Sequence, residues 1–204
     1  MIVESIVTTS DACGRVNIAP MGPTVGDDFA VGDPLDQSIT LRPFDSSKTY
    51  RNLTENPRAV VHVTDDVDLF VRAALNEIGD LETATELVDC LDDSYWVLRD
   101  CHRWFAVDVV SNDGHHPRLT MQCRVVRSEI VRPFFGFNRA KNAVIEAAIL
   151  GTRTSLLPRK EIESELSRLE ILIDKTAGRN ETTAFERIRR FVANAYCNSA
   201  VKTE

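Results

Sequence analysis

The chain has 204 residues, 43% hydrophobic and 27% charged, with 24 Lys and Arg against 31 Asp and Glu for a formal charge of −7. That composition excludes a disordered, collagenous or membrane-embedded chain, and the negative balance argues against nucleic-acid and anionic-membrane partners, which need a positive field. The charge is unevenly placed: residues 1–100 carry 7 basic and 19 acidic side chains, a balance of −12, and residues 101–204 a balance of +5.

In chain order, Ile2 to Thr9 is rich in β-branched residues, Ser10 to Gly14 is a turn, and Arg15 to Val25 resumes as a strand interrupted at Pro20 and Gly22, which predicts a hairpin. Phe29 to Val31 and Ser38 to Arg42 read as further short strands. Ser46 and Ser47 open a short helix through Leu53 that closes at Asn56-Pro57, because the residue before proline leaves the helical region. Ala59 to Thr64 is a buried-type strand.

From Asp68 to Leu91 the apolar spacing is helical and fits two short helices. Trp104 to Ser111 and Leu119 to Ile130 pair as strands through the turn signal Asn112-Asp113-Gly114. Asn138 to Leu150 is an amphipathic helix, Pro158 starts another that reaches about Thr176, and Thr182 or Thr183 caps a last one through Tyr196. Short, turn-separated strands followed by helices predict a mainly β fold with helices (α+β): an antiparallel barrel core over 1–135 with a helical insert. A helical C-terminal subregion over 136–204 completes a single structural domain.

Five cysteines, widely spaced and without a CxxC pair, exclude a disulfide framework or zinc knuckle and predict free thiols in a reducing, cytoplasmic setting. The N-terminus has no basic leader, and no run approaches the ~20 apolar residues of a membrane span. His115-His116, Cys101-His102 and Asp65-Asp66 with Asp68 read as turn and surface features, and no metal is expected. Nucleotide P-loop, dinucleotide and hydrolase signatures are absent from the sequence.

Three stretches carry chemistry. In Arg42 to Asn52 a strand delivers Arg42 to a loop, and Ser47 caps a helix whose first turn holds Lys48 and Thr49. Unpaired N–H groups, the helix dipole, hydroxyls and two cations together make a phosphate cradle, and a lysine in the first turn opposes the dipole unless an anion sits there. The alternative is ordinary serine capping beside a solvated lysine. The second stretch is Gly14 to Gly22, where proline ends the ladder and exposes main-chain groups around Met21 and Gly22 to the polar rim of a planar heterocycle; the alternative is a bulge at a sheet edge. The third is Asn138, Arg139 and Lys141, a capped helix start that is either a second anion site or a surface helix.

The ordered combination of Asn-Ile-Ala-Pro-Met (17–21), Arg-Pro with Ser-Lys-Thr-x-x-Asn (42–52) and a Val-rich strand resembles the FMN-binding split barrels of the flavin reductase-like superfamily. With Phe-Asn-Arg-Ala-Lys-x-Ala-Val-Ile-Glu (137–146), nearly the whole chain resembles the family called domain of unknown function 447. The resemblance implies a six-stranded antiparallel split barrel that binds FMN at the interface of a homodimer and acts on a small-molecule substrate. Arg42, Ser47, Lys48, Thr49 and Asn52 would hold the flavin phosphate, and Asn17, Pro20, Met21 and Gly22 would line the ring. Asn138, Arg139 and Lys141 would close the site or meet the substrate. Members resemble proteins associated with tetrahydromethanopterin-linked one-carbon metabolism. No residue stands out as a general acid or base. The implied role is a flavin-dependent oxidoreductase, and the alternative is a non-enzymatic flavin- or phospholigand-binding protein. The acidic insert, 80–100, and the C-terminal helices set the chain apart from nicotinamide-dependent flavin reductases; one role for the insert is a lid over the flavin groove.

Overall fold

The computed structural model describes residues 1–78, 81–91, 95–115 and 117–201. Its elements are β1 (Ser5–Ser10), β2 (Val16–Met21), β3 (Thr24–Val25), β4 (Ser38–Leu41), α1 (Lys48–Glu55), β5 (Arg58–Val63), α2 (Val67–Ala74), α3 (Leu81–Glu86), β6 (Val88–Leu91), β7 (Tyr95–Leu98), β8 (Arg103–His115), β9 (Arg118–Ile130), α4 (Arg139–Gly151), α5 (Arg159–Thr176) and α6 (Arg179–Val201). They divide into two compact units: Met1–Asp65 with Ile78–Phe134, and Asp66–Glu77 with Phe135–Glu204.

The first unit is built on an antiparallel sheet of order β2-β1-β5-β8-β9-β4-β3. Its ends meet through a continuous register. Ser5 pairs with Met21 and, three residues away on each strand, Ile2 bridges Thr24, so β2 and β3 form one stave that runs alongside residues 2–10. The Val25 N–H donates to the Met1 carbonyl at 2.9 Å and the Val3 N–H to the Pro23 carbonyl at 3.1 Å. The second edge of β3 pairs with β4, closing six staves into a ring, whereas the second edge of β2 has no strand partner among the described residues. The barrel is therefore closed at β3 and split along β2. It is the antiparallel split barrel that the sequence leads one to expect.

Residues alternate in and out of this ring as period-2 pleating requires. Val7, Ile39, Leu41, Ala59, Val61, Phe105, Val107, Met121, Cys123 and Val125 face inward and pack together with Leu53 of α1. Phe29 joins them, its ring 4.5 Å from that of Phe105. Residues 27–31 form turns rather than the expected strand; burying Phe29 from a turn fills the barrel without adding a stave.

The insert departs further from expectation. Val88 and Leu91, read as the tail of a helix, belong to β6, which pairs with β7 in a separate hairpin. β7 lies on the outer face of β1 and β5: the Thr8 hydroxyl donates to the Trp96 carbonyl and the Leu98 N–H donates to Nε2 of His62 at 3.0 Å. This outer face is as buried as the interior, with Ile6, Val60, His62 and Ala106 fully covered. The described part of the insert packs on β1 and β5 through β7 and on β2 through α3; Asp80 and residues 92–94 lie outside the described residues.

The β8–β9 hairpin is also longer than expected. Asn112, Asp113 and Gly114 remain in the ladder, opposite Met121, Thr120 and Leu119. Glycine is required there by close approach: a Cβ on Gly114 would lie 2.7 Å from the Leu119 Cα. Gly114→Ala is expected to destabilise the protein by about 1–3 kcal/mol, read as a lower thermal midpoint, because the facing backbone cannot yield as a flexible side chain would.

The second unit packs α4, α5 and α6 with α2, which the sequence reading had left with the barrel insert. Asn138 caps α4 as expected, whereas α6 begins at Arg179, before the predicted threonine caps. There the Gly178 N–H donates to the Glu181 carboxylate at 2.8 Å, a reach-back that satisfies an orphan donor at the helix start. No helix among the described residues is long and apolar enough to cross a membrane.

Candidate functional site

The split in the barrel is where the first two predicted stretches meet. C-terminal to Leu41 the chain leaves β4, turns, and re-enters the fold as α1, whose Leu53 and Tyr50 pack onto the barrel core. Asn17 on β2 donates from Nδ2 to the Thr49 hydroxyl at 3.2 Å, and Asn52 donates to the Thr9 hydroxyl at 3.0 Å. These bonds fix α1 against the open side of β1 and β2.

The beginning of α1 has the features of an anion site. Ser47 is its N-cap, and the Ser47 hydroxyl accepts from the Tyr50 N–H at 3.1 Å. It also donates to the Phe44 carbonyl at 2.7 Å, so the loop turn has taken the hydrogen that the sequence reading assigned to a phosphate. The N–H groups of Lys48 and Thr49 have no acceptor among the described residues, and no acidic residue stands in the first turn. Arg42 and Lys48 are exposed and have no ion-pair partner among the described residues. Two orphan donors, the positive end of the helix dipole and two uncompensated cations converge on one loop.

Thr49 and Asn52 act differently from expectation. Both are buried, each 3% exposed, with their polar groups turned to Asn17 and Thr9, so they position the helix. In β2 the ladder does not stop at Pro20, which pairs with Ile6 on the split edge where a missing N–H is tolerated. The Met21 carbonyl accepts from the Ser5 hydroxyl at 2.8 Å, and the Met21 side chain packs on the barrel core. Gly22 marks the passage from β2 to β3; a Cβ there would meet the Ile2 side chain at 2.7 Å. The stave has no break at the proline, and its second edge, near which α3 and α1 pack, has no strand partner among the described residues.

The third stretch belongs to the second unit. The Asn138 Oδ1 accepts from Ala140 and Lys141 N–H groups at 2.8 and 3.2 Å, and Nδ2 donates to the Thr176 carbonyl at 3.1 Å. The Lys141 ammonium stands 3.7 Å from the buried Glu181 carboxylate. Arg139 is exposed, with no ion-pair partner among the described residues.

A further polar cluster lies where β5 and β9 end and β8 begins. Arg132 donates to Asp65 and, at 2.7 Å, to Asp100, which holds its guanidinium pKa above the ordinary value. His102 Nε2 is 3.2 Å from Asp65, and Nδ1 is 3.1 Å from the Pro133 carbonyl. These contacts tie the strand ends together. Sequence reading saw only Cys101-His102 as neighbours, because the partners come from residues more than 30 positions away. Burial pushes the Cys101 and Cys123 thiols up, to about 11 and about 12, which makes them poor nucleophiles. Among the described residues no cluster of His, Cys, Asp or Glu is placed to hold a metal ion.

The split-barrel topology places the chain among the flavin reductase-like folds. Residues 3–132 match the N-terminal domain of a protein family of unknown function, DUF447, and residues 138–190 match its C-terminal part; the chain belongs to this family. A crystal structure of an FMN-bound DUF447 protein from Methanosarcina mazei is similar over 93% of this chain and 94% of its own, with 22% identity and a TM-score of 0.77. Flavoredoxin from Methanosarcina acetivorans matches with a TM-score of 0.53 at 12% identity, over 63% of this chain and 68% of its own. Flavin reductase HpaC, crystallised with NADP+, matches with a TM-score of 0.54 at 16% identity, over 66% of this chain and 81% of its own.

Proposed function

We propose that this protein binds FMN at the split of its barrel and serves as a flavin-dependent oxidoreductase on a small molecule. The carrying observation is the start of α1, where the free N–H groups of Lys48 and Thr49 stand with the uncompensated cations of Lys48 and Arg42. A phosphate monoester matches this donor set in charge and geometry. Asn17 and the unpaired edge of β2 up to Met21 and Gly22 supply main-chain donors and acceptors for the polar rim of the ring. Five residues of strand span about 13 Å between the first and last Cα, room for a ribityl chain and ring extending from the cradle. The FMN in the Methanosarcina mazei relative supports the same reading.

FMN supplies hydride or electron transfer when bound. The protein's part is to anchor the phosphate, orient the ring along β2 and pair its rim. The functional unit in this reading is a homodimer with the flavin at the subunit interface, as the resemblance to FMN-binding split barrels implies. Sedimentation equilibrium is expected to return twice the chain mass.

Titration of the purified protein with FMN, followed by flavin fluorescence, tests the binding. Saturable quenching is the expected result, and unchanged fluorescence refutes it. Anaerobic mixing of the FMN complex with NADH or NADPH tests whether a nicotinamide is the electron donor: bleaching of the flavin identifies the nicotinamide as donor, and a persistent yellow colour assigns reduction to another.

A further inference from the structure

The register between β4 and β9 continues past the end of β4. Ile39 pairs with Cys123 and Leu41 with Met121, and after an interruption at Pro43 the same register brings Phe44 into an antiparallel bridge with Arg118. The Leu119 N–H donates to the Pro43 carbonyl and the Asp45 N–H to the Pro117 carbonyl, each at 3.1 Å. The tip of the β8–β9 hairpin is thereby fastened to the loop that leads into α1. In this register Arg42 faces Thr120, so Arg42 and Arg118 occupy diagonal positions on the same outer face, within reach of each other for long side chains.

Arg118 lies over the ring of its bridge partner Phe44. Its guanidinium carbon lies 4.2 Å from the centroid of the Phe44 ring. A cation–π contact places the guanidinium without using up its capacity for bidentate contact with phosphate oxygens. Arg118 is exposed and, among the described residues, has no ion-pair partner; Arg42 and Lys48 share that condition. Like charges at neighbouring cross-strand positions repel, and a chain with 31 acidic residues has no shortage of partners for them. Arg42, Lys48 and Arg118 bring three positive charges to this loop, and a phosphate monoester carries about −2.

We propose that Arg118, seated on Phe44, is a third cation of the phosphate site, delivered by the β8–β9 hairpin, and that it makes the protein select phosphorylated over unphosphorylated flavin. The assignment rests on the FMN reading above and adds to it a residue from the opposite side of the cradle. Phe44 is a positioning residue in this account, since it acts only through the orientation of Arg118.

The test is a fluorescence titration of wild type, Arg118→Ala, Arg118→Lys, Phe44→Ala and Phe44→Tyr with FMN and with riboflavin, which lacks the phosphate. Arg118→Ala is expected to lose roughly ten- to a hundred-fold in FMN affinity while riboflavin affinity stays unchanged. Arg118→Lys should recover only part of the loss, because an ammonium neither stacks nor binds bidentately. Phe44→Ala should weaken FMN alone, and Phe44→Tyr should restore it. Wild-type FMN binding that is indifferent to Arg118→Ala overturns the role of Arg118 and leaves the FMN reading standing. Equal losses for FMN and riboflavin overturn the phosphate assignment, and a wild type that binds neither flavin overturns both.

Discussion

Replacing Arg42 and Lys48 together by alanine should lower FMN affinity at least about a hundred-fold while the thermal midpoint stays close to wild type. The size follows from charge-assisted hydrogen bonds, worth about 1.5–3 kcal/mol each, removed from one anionic group. The unchanged stability follows from the structure: both side chains are exposed and neither has an ion-pair partner among the described residues. Removing them from a lysine-bearing helix start also relieves a small conflict with the macrodipole. FMN binding by wild type should weaken as salt rises, and binding by the double variant should depend less steeply on salt, because two of the three cations on which screening acts have been removed. Thr49→Val is the contrasting case. It removes the acceptor of the Asn17 amide within a buried contact, so the loss should appear as lower stability together with weaker binding.

The second large effect concerns His62 and acid. His62 is fully buried; Nδ1 donates to the Ile6 carbonyl at 3.1 Å and Nε2 accepts from the Leu98 N–H at 3.0 Å, which fixes a neutral ring of defined tautomer. Burial pushes its pKa down to about 4, although the bond to Ile6 works in the other direction. In the unfolded chain the imidazole takes up a proton near pH 6.5, while the folded protein refuses one until about pH 4. Full stability is therefore present above pH 6.5 and is lost as pH falls toward 4, by about 3 kcal/mol from this residue. Protonation would also set an N–H of the ring against the Leu98 N–H, so β7 should be the first strand to loosen. Urea unfolding across this range should give a slope of up to one proton taken up on unfolding, and His62→Gln should reduce it by that proton at the cost of stability at neutral pH. An identical slope in the variant would show that the acid sensitivity lies elsewhere.

Much of the architecture was legible in the sequence because local chemistry decided it. The β1–β2 hairpin, α1 with its Ser47 cap, β5 and the Asn138 cap of α4 all follow from β-branched runs, proline rules and capping residues, and all are present. The failures share a cause in non-local packing. Phe29 sits in a turn because the barrel interior needs a ring beside Phe105, and β6 and β7 form because the outer face of β1 and β5 needs a cover. Apolar periodicity over Leu87 to Leu91 cannot distinguish a helix from a strand when the partner is 10 residues away.

The candidate site was half legible. Arg42, Lys48 and the helix start could be named because they are contiguous in sequence, and their exposure without ion-pair partners gives them the expected character. Thr49 and Asn52 carry the right residue types but point into the fold, which only the pairing of α1 with β1 and β2 decides. Arg118 was invisible because the signal is a register: the hairpin must extend through Gly114 before it can bring Arg118 onto Phe44, and the turn chemistry of Asn112-Asp113-Gly114 suggested a shorter hairpin. Net charge was a weak guide for the same reason. An excess of acid in the first half coexists with cations set apart in one loop.

The most direct measurement of the central claim is a parallel titration of the wild-type protein with FMN, riboflavin and inorganic phosphate as competitor. Tight FMN binding, markedly weaker riboflavin binding and displacement of FMN by phosphate are the predicted results. Equal affinity for the two flavins, or no binding of FMN, would contradict a phosphate cradle at the start of α1.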